Sequence, residues 1–488
     1  MLFTSSTFII FLLIVFPIYF ILSNKIKWIF LLICSYIYYG FANPKFLIFL
    51  MISTLSTYFI GIKINNINNH QEIQKKSNIK ITNLKKNFYL IMVLVINFGL
   101  IFCFKQINFI NHNLNFSLML NLALPLGISY YTLQALSYTI DIYRNQIKPE
   151  TNIAKYALFV SYFPQLVMGP ISRFSDLHHQ FFEEHNFNKE QFIYGIRRIF
   201  WGFFKKLVIA DRINVFVNMT YSNFNDFSGL TLLLTMILYT FQLYADFSGY
   251  MDIAIGVSNC FGINIKENFK TPFFSKSVQE FWTRWHITLY TWFRDYVFYT
   301  IIYSKYFKLL KKVFKTKGDF LSTLPMTISI MIVFFLIGLW HGSQLNYILT
   351  CLYYGICIVL YLFMCKYNIF NNLNICIKTL CTFIIISFGM LIFKVQSLTE
   401  LIAILYKIIK YPISNNILTE PNLPIFSFYD WNITILGIII LLIVDFLKFK
   451  NKFNITSLKL NFVIIYILLF FIVICGNFDE TAFIYIKF

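Results

Sequence analysis

Two histidines stand where an imidazole is costly unless it has a partner or a task. His341 lies in Ile337-Gly338-Leu339-Trp340-His341-Gly342, inside a run from Met326 to Leu352 that holds no lysine, arginine, aspartate or glutamate. His286 lies in Phe281-Trp282-Thr283-Arg284-Trp285-His286-Ile287-Thr288-Leu289. Titratable side chains at membrane depth mark functional sites. Neutral imidazole is the natural general base near physiological pH, and one such base suffices for acyl transfer. It takes the proton of a hydroxyl as the oxygen attacks a thioester carbonyl, and backbone amides or an indole N–H steady the oxyanion. Trp340 and the amides around Gly342 are candidates for that second role. No Gly-x-Ser-x-Gly elbow is present, which disfavours an α/β-hydrolase route. No Walker A loop is present, which disfavours ATP-driven transport.

Other polar groups stand close by in the chain. Arg284, Lys270 and Lys276 precede a basic loop and are placed to meet phosphates of a cytosolic donor, or equally lipid headgroups. Asp246 and Asp252 fall within an apolar segment, and unpaired carboxylates there predict a polar cavity. Asp141 and Arg144 end another segment, three apart, and fit a structural pair. His178, His179, Glu183 and His185 are crowded but lack clean ligand spacing, so a solvated loop is favoured over a metal site.

The elements that must position these groups are membrane helices. The chain has 488 residues, 58% hydrophobic and 13% charged, about half the charged fraction of a soluble domain. Apolar runs of membrane-spanning length recur end to end and predict an all-α, polytopic transmembrane bundle of about eleven to thirteen segments. They include 116–140, 153–170 and 193–219. No soluble domain and no internal repeat is visible, so residues 1–488 are expected to form one membrane-embedded domain. Between residues 259 and 300 the pattern becomes amphipathic. Pro272 breaks any helix there, and Ser275 or Ser277 can cap a new one with Glu280 in its first turn. That helix is expected to lie in the interface, with Arg284, His286, Arg294 and Asp295 on its polar side and Trp282, Trp285 and Trp292 as interfacial anchors.

The formal charge of +20 does not point to nucleic acid, because the cations cluster in short loops beside apolar spans. Loops 63–87, 303–319 and 448–459 are lysine-rich and expected to be cytoplasmic, where they also meet anionic lipid. The nearly neutral, proline-containing loop 396–430 is expected outside. Residues 461–488 then form a final helix and an extracytoplasmic aromatic tail. The first apolar segment has no preceding lysine or arginine and no small-x-small site after it, so it is expected to be a retained helix. The nine cysteines are scattered, without a Cys-x-x-Cys pair, and read as small apolar residues.

A series of motifs runs through nearly the whole chain. It includes Leu124-Pro125-Leu126-Gly127-Ile128-Ser129-Tyr130-Tyr131, Gly169-Pro170-Ile171-Ser172-Arg173 and Lys205-Lys206-Leu207-Val208-Ile209-Ala210-Asp211-Arg212. It continues with Asp246-Phe247-Ser248-Gly249-Tyr250, the His286 segment with Trp292-Phe293-Arg294-Asp295-Tyr296, and Gly338-Leu339-Trp340-His341-Gly342. In order and spacing these resemble the membrane-bound O-acyltransferase family, in its branch of alginate and peptidoglycan O-acetyltransferases. The resemblance implies a helical bundle with a central funnel or tunnel. It implies His341 as the catalytic histidine and His286 as a second polar position of the site. It further implies passage of an acyl group, usually acetyl, from a cytosolic thioester (acetyl-CoA or an acyl carrier). The group goes to a polysaccharide hydroxyl outside the bacterial cytoplasmic membrane, often through an esterase-like partner. No tightly bound cofactor and no metal are implied.

The end of the chain, Phe483-Ile484-Tyr485-Ile486-Lys487-Phe488, is similar to the Phe-x-Tyr tail of a separate small peptide in related D-alanine-transfer systems. That similarity implies Tyr485 as a relay nucleophile activated by His341, although the same residue type also serves as an interfacial anchor. Two departures from the family pattern leave partner choice open: Phe393-Lys394-Val395 in place of Phe-Arg-Ala, and Ile486-Lys487 in place of Phe-Gln. D-alanyl or other acyl transfer is the alternative within the class. A secondary transporter with Asp246, Asp252 and His341 as proton relay is the alternative outside it, disfavoured because no pseudo-symmetric halves are visible.

Overall fold

A computed structural model describes residues 1–73, 79–114, 124–315, 319–342, 344–368, 373–412, 426–452, 458–478 and 483–484. Among the described residues there are helices, turns and bends but no strands. That is the outcome lipid imposes, since a backbone there must satisfy its hydrogen bonds within its own segment.

The chain divides into two compact units, Met1–Ile199 with Ile253–Lys266, and Phe200–Asp252 with Glu267–Phe488. The first unit contains α1 (Ser6–Ile21), α2 (Asn24–Gly40), α3 (Leu47–Ile73), α4 (Ile79–Leu114), α5 (Ile128–Tyr143), α6 (Ile153–Ser161), α7 (Phe163–Leu166) and α8 (Phe174–Leu177). The chain leaves it along α9 (Lys189–Phe203). The second unit takes up the chain at Phe200 and holds a π turn, Phe204–Ala210, then α10 (Asp211–Ser222) and α11 (Gly229–Cys260) as far as Asp252, the rest of α11 being counted with the first unit. It continues through α12 (Val278–Arg284), α13 (Ile287–Phe293), α14 (Tyr299–Ile302), α15 (Lys305–Lys315), α16 (Asp319–His341) and α17 (Leu345–Lys366). It ends with α18 (Ile375–Lys394), α19 (Leu398–Lys410), α20 (Phe428–Phe449) and α21 (Leu458–Cys475).

Among the described residues seven helices are long and apolar enough to cross a membrane: Pro44–Asn69, Ile81–Lys105, Gly229–Cys260, Thr323–His341, Leu345–Lys366, Ile375–Lys394 and Phe428–Phe449. Ser6–Ile21 and Leu460–Cys475 are shorter apolar helices. The chain is a multi-pass membrane protein. Outward-facing Ile91 and Val95 on α4 and Val473 on α21 present the apolar surface that lipid requires. The expected eleven to thirteen segments exceed this number for identifiable reasons. The run 153–170 is split into α6 and α7, with Pro164 in the first turn of the second. The run 193–219 carries Arg197, Arg198, Lys205, Lys206, Asp211 and Arg212, too many charges for a simple span. In 116–140 the described helix begins only at Ile128, and residues 116–123 lie outside the described residues.

The region 259–300 differs from the single interfacial helix expected of it. It folds as the seven-residue helix α12 and, beyond His286, a second helical stretch that runs from α13 through a wider turn at Arg294–Phe298 into α14. Ser277 caps the first by accepting the Glu280 N–H at 3.1 Å, while Glu280 accepts the Lys276 N–H at 2.8 Å. Trp282, Trp285 and Trp292 are buried rather than interfacial. Trp282 packs edge-on to Phe334 and Tyr354, and Trp285 stacks on Phe281. Local pattern alone made these rings anchors; tertiary packing claims them. All nine cysteines are free, four of them buried.

Candidate active site

His286 occupies a backbone position that few side chains adopt, with φ +44° and ψ +49° at the start of α13. Left-handed backbone at a non-glycine residue persists only where the surroundings over-determine it. Two backbone bonds do so: Lys270 N–H donates to the Arg284 carbonyl at 2.9 Å, and Ile287 N–H to the Asn268 carbonyl at 3.0 Å. Asn268 then fixes the ring. Its Oδ1 accepts the Thr288 N–H and Thr288 hydroxyl, both at 2.9 Å. That orients the amide so that Nδ2 lies 3.2 Å from His286 Nδ1, the nearer of two contacts. Assigned by this network, Nδ1 accepts and the imidazole proton sits on Nε2. Burial pushes the His286 imidazole well below the ordinary histidine range, and the neighbouring His341 adds to the effect. The ring is therefore neutral, and its Nε2–H is a donor.

His341 is the last residue of α16 and is buried. Trp340 links the two histidines, its ring centroid 6.1 Å from His286 and 4.9 Å from His341. Phe393 from α18 stands edge-on to His341 at 5.6 Å. Close helix packing sets this place: a Cβ on Gly338 would lie 2.7 Å from Ile348 Cα, so only glycine lets α16 approach α17 so closely. The structure thus brings together the two histidines and the indole that the sequence singled out.

The three candidate donor-binding cations behave differently. Arg284 is half-buried and gives Nε and Nη2 to Glu280 Oε1 at 3.0 and 2.8 Å and Nη1 to Thr271 Oγ1 at 3.2 Å. Its guanidinium also lies over Phe449. These contacts clasp the turn that carries His286. Lys270 and Lys276 are exposed. Tyr485 lies outside the described residues.

A network that sequence reasoning left unassigned lies in the same unit. Lys205 and Lys206, on the π turn, are buried, and so are Asp246 and Asp252. Lys205 pairs with Asp252 and donates to Ser248 Oγ at 2.7 Å. Lys206 pairs with Asp246 and Asp211, each at 2.8 Å. The Tyr244 hydroxyl donates to Asp445 at 2.6 Å. The aspartates therefore sit in ion pairs, not alone in a cavity as expected. The signal was present: two lysines in one apolar stretch and two carboxylates in another must find each other if both are buried.

In the first unit the crowded histidines take separate partners. His178 Nε2 meets Glu150 at 2.9 Å, His179 faces Glu183 at 3.8 Å, and His185 Nε2 meets the Gln180 carbonyl at 2.5 Å. Among the described residues no group of three or more His, Cys, Asp or Glu is arranged to hold a metal ion.

Several known proteins are similar to this chain. A probable alginate O-acetylase AlgI of Pseudomonas fluorescens is 34% identical over 281 residues, 58% of this chain and 53% of the relative. A peptidoglycan O-acetyltransferase of Helicobacter pylori is 32% identical over 335 residues, 62% of this chain and 58% of the relative. A teichoic acid D-alanyltransferase of Bacillus subtilis is 32% identical over 284 residues, 56% of this chain and 69% of the relative. The chain spans little more than half the length of the first two. Residues 31–407, from α2 into α19 and including both histidines, match the membrane-bound O-acyltransferase family, and the chain belongs to it.

Proposed function

We propose that this protein transfers an acetyl group from a cytosolic thioester toward a hydroxyl of an extracytoplasmic polysaccharide, alginate-like or peptidoglycan, at the bacterial cytoplasmic membrane. The observation that carries the reading is the pair of buried imidazoles, His286 and His341, joined by Trp340. The neutral imidazole of His341 takes the proton of the accepting hydroxyl as that oxygen bonds to the carbonyl carbon. The Nε2–H of His286 and the Trp340 indole are the donors for the oxyanion. The C–S bond then breaks, and the departing thiolate takes the proton from the imidazolium, which restores the base. The donor is acetyl-CoA or an acyl carrier, and exposed Lys270 and Lys276 supply the cations for its phosphates. Arg284 supports the turn between them. A tunnel through the bundle lets donor and acceptor reach the histidines from opposite sides. Tyr485 is the first acceptor, and an esterase-like partner passes the acetyl group on to the polymer.

D-alanyl transfer is the second reading, favoured by the similarity to the teichoic acid D-alanyltransferase. The fused aromatic tail favours acetyl transfer. The test is purified protein given labelled acetyl-CoA or a D-alanyl thioester. The expected result is acetyl-CoA hydrolysis or self-labelling that falls by a factor of about 10²–10⁴ in His341→Asn. Undiminished turnover in that variant would overturn the role of His341. Turnover of the D-alanyl thioester alone would move the protein to the second reading.

A further inference from the structure

The C-terminal tail meets the buried ion pairs at a place the histidines do not use. Just beyond α21 the Asn477 N–H donates to the Leu207 carbonyl of the π turn at 2.9 Å. Farther on, Phe483 is fully buried, with the Lys206 ammonium 4.5 Å from its ring centroid and Tyr250 edge-on at 5.0 Å. The next residue, Ile484, donates its backbone N–H to Asp246 Oδ2 at 2.7 Å. Asp246 therefore holds Lys206 with one oxygen and the tail with the other. A peptide N–H on a buried carboxylate is a charge-assisted bond, and an ammonium over a phenylalanine ring is a cation–π contact.

We propose that the Lys206–Asp246 pair is a clamp for the C-terminal tail. The ammonium receives an aromatic side chain and the carboxylate receives the peptide N–H of the residue after it. The ligand class is a short peptide segment with an aromatic residue, recognised through one ring and one main-chain donor. Lys206 and Asp246 are positioning residues, and their bearing on catalysis rests on the proposed role of Tyr485, whereas the docking does not.

Hydrogen exchange of the full-length purified protein, read by mass spectrometry, tests this. The peptide containing Ile484 is expected to exchange at least about tenfold more slowly than the same synthetic peptide free in solution. Asp246→Asn and Phe483→Ala are each expected to raise it to near the free rate, with peptides from α16 to α18 unchanged. A wild-type tail that exchanges at the free rate overturns the clamp, and so does protection that survives both substitutions. Should Asp246→Asn loosen α16 to α18 as well, Phe483→Ala decides, because it alters no membrane helix. Acyl transfer measured on the same samples separates the two ideas. A released tail with undiminished transfer removes the relay and leaves the clamp standing.

Discussion

His286 owes its orientation to Asn268, a residue with no titratable group of its own. The amide is locked by Thr288 from one side and presents Nδ2 to the imidazole from the other. Asn268→Leu removes that donor while keeping the bulk. If the proposed role of the His286 Nε2–H holds, the expected result is a fall in kcat of about 10–100-fold with little change in KM for the thioester, measured by steady-state kinetics, because the displaced ring would no longer meet the reacting carbonyl. At this scale the sequence was legible only where a side chain was chemically out of place. His286, His341 and Trp340 were visible as polar or amphipathic groups in greasy runs. Asn268 was not, since an asparagine before Phe269 carries no spacing signal, and its partner lies 18 residues away.

The elements position the site through close approaches and paired charges. Gly338→Ala would place a methyl 2.7 Å from Ile348 Cα and push α16 away from α17. The expected outcome is a destabilisation of about 1–3 kcal/mol and reduced turnover, whereas Gly99→Ala on α4, with nothing within 4 Å, should be neutral in both. Thermal unfolding in detergent and acetyl-CoA turnover distinguish them. Lys205→Met leaves Asp252 buried without its ammonium and is expected to cost about 3–5 kcal/mol. Adding Asp252→Leu should recover most of that loss in the same unfolding assay. Helix existence was readable from the long apolar runs, but the break between α16 and α17 comes after His341 rather than near residue 349, where hydropathy alone put it. Helix breaks were less so. The split at Pro164 and the hinge at His286 depend on which backbone bonds the rest of the unit offers, and the burial of Trp282 and Trp285 depends on partners far along the chain.

For the molecule as a whole, stability should depend on pH through His178. Burial lowers its pKa from the ordinary value to about 4, against the raising effect of Glu150. The native imidazole thus stays neutral at a pH where the unfolded chain takes up a proton. The stabilisation is complete above the unfolded value near 6.5 and is lost as pH falls toward 4. The melting temperature in detergent is expected to decline across that window, and His178→Gln should flatten the decline. The charge pattern located the lysine clusters but not their conformation, since the expected loops 303–319 and 396–430 hold the helices Lys305–Lys315 and Leu398–Lys410, and the meeting of the tail with Asp246 was not legible because it joins residues 238 apart. The π turn also sets the rotation of everything after it. There the Asp211 N–H reaches back five residues, to Lys206, instead of four, so the turn holds one residue more than an ordinary helical turn. Excising one residue between 207 and 210 would rewind the segment and rotate all that follows by about 100° relative to Lys205 and Lys206. Arg212, which joins Asp430 to the Cys475 carbonyl, would then swing off both. Any homologue that is one position shorter here must therefore seat its last two helices by a different device.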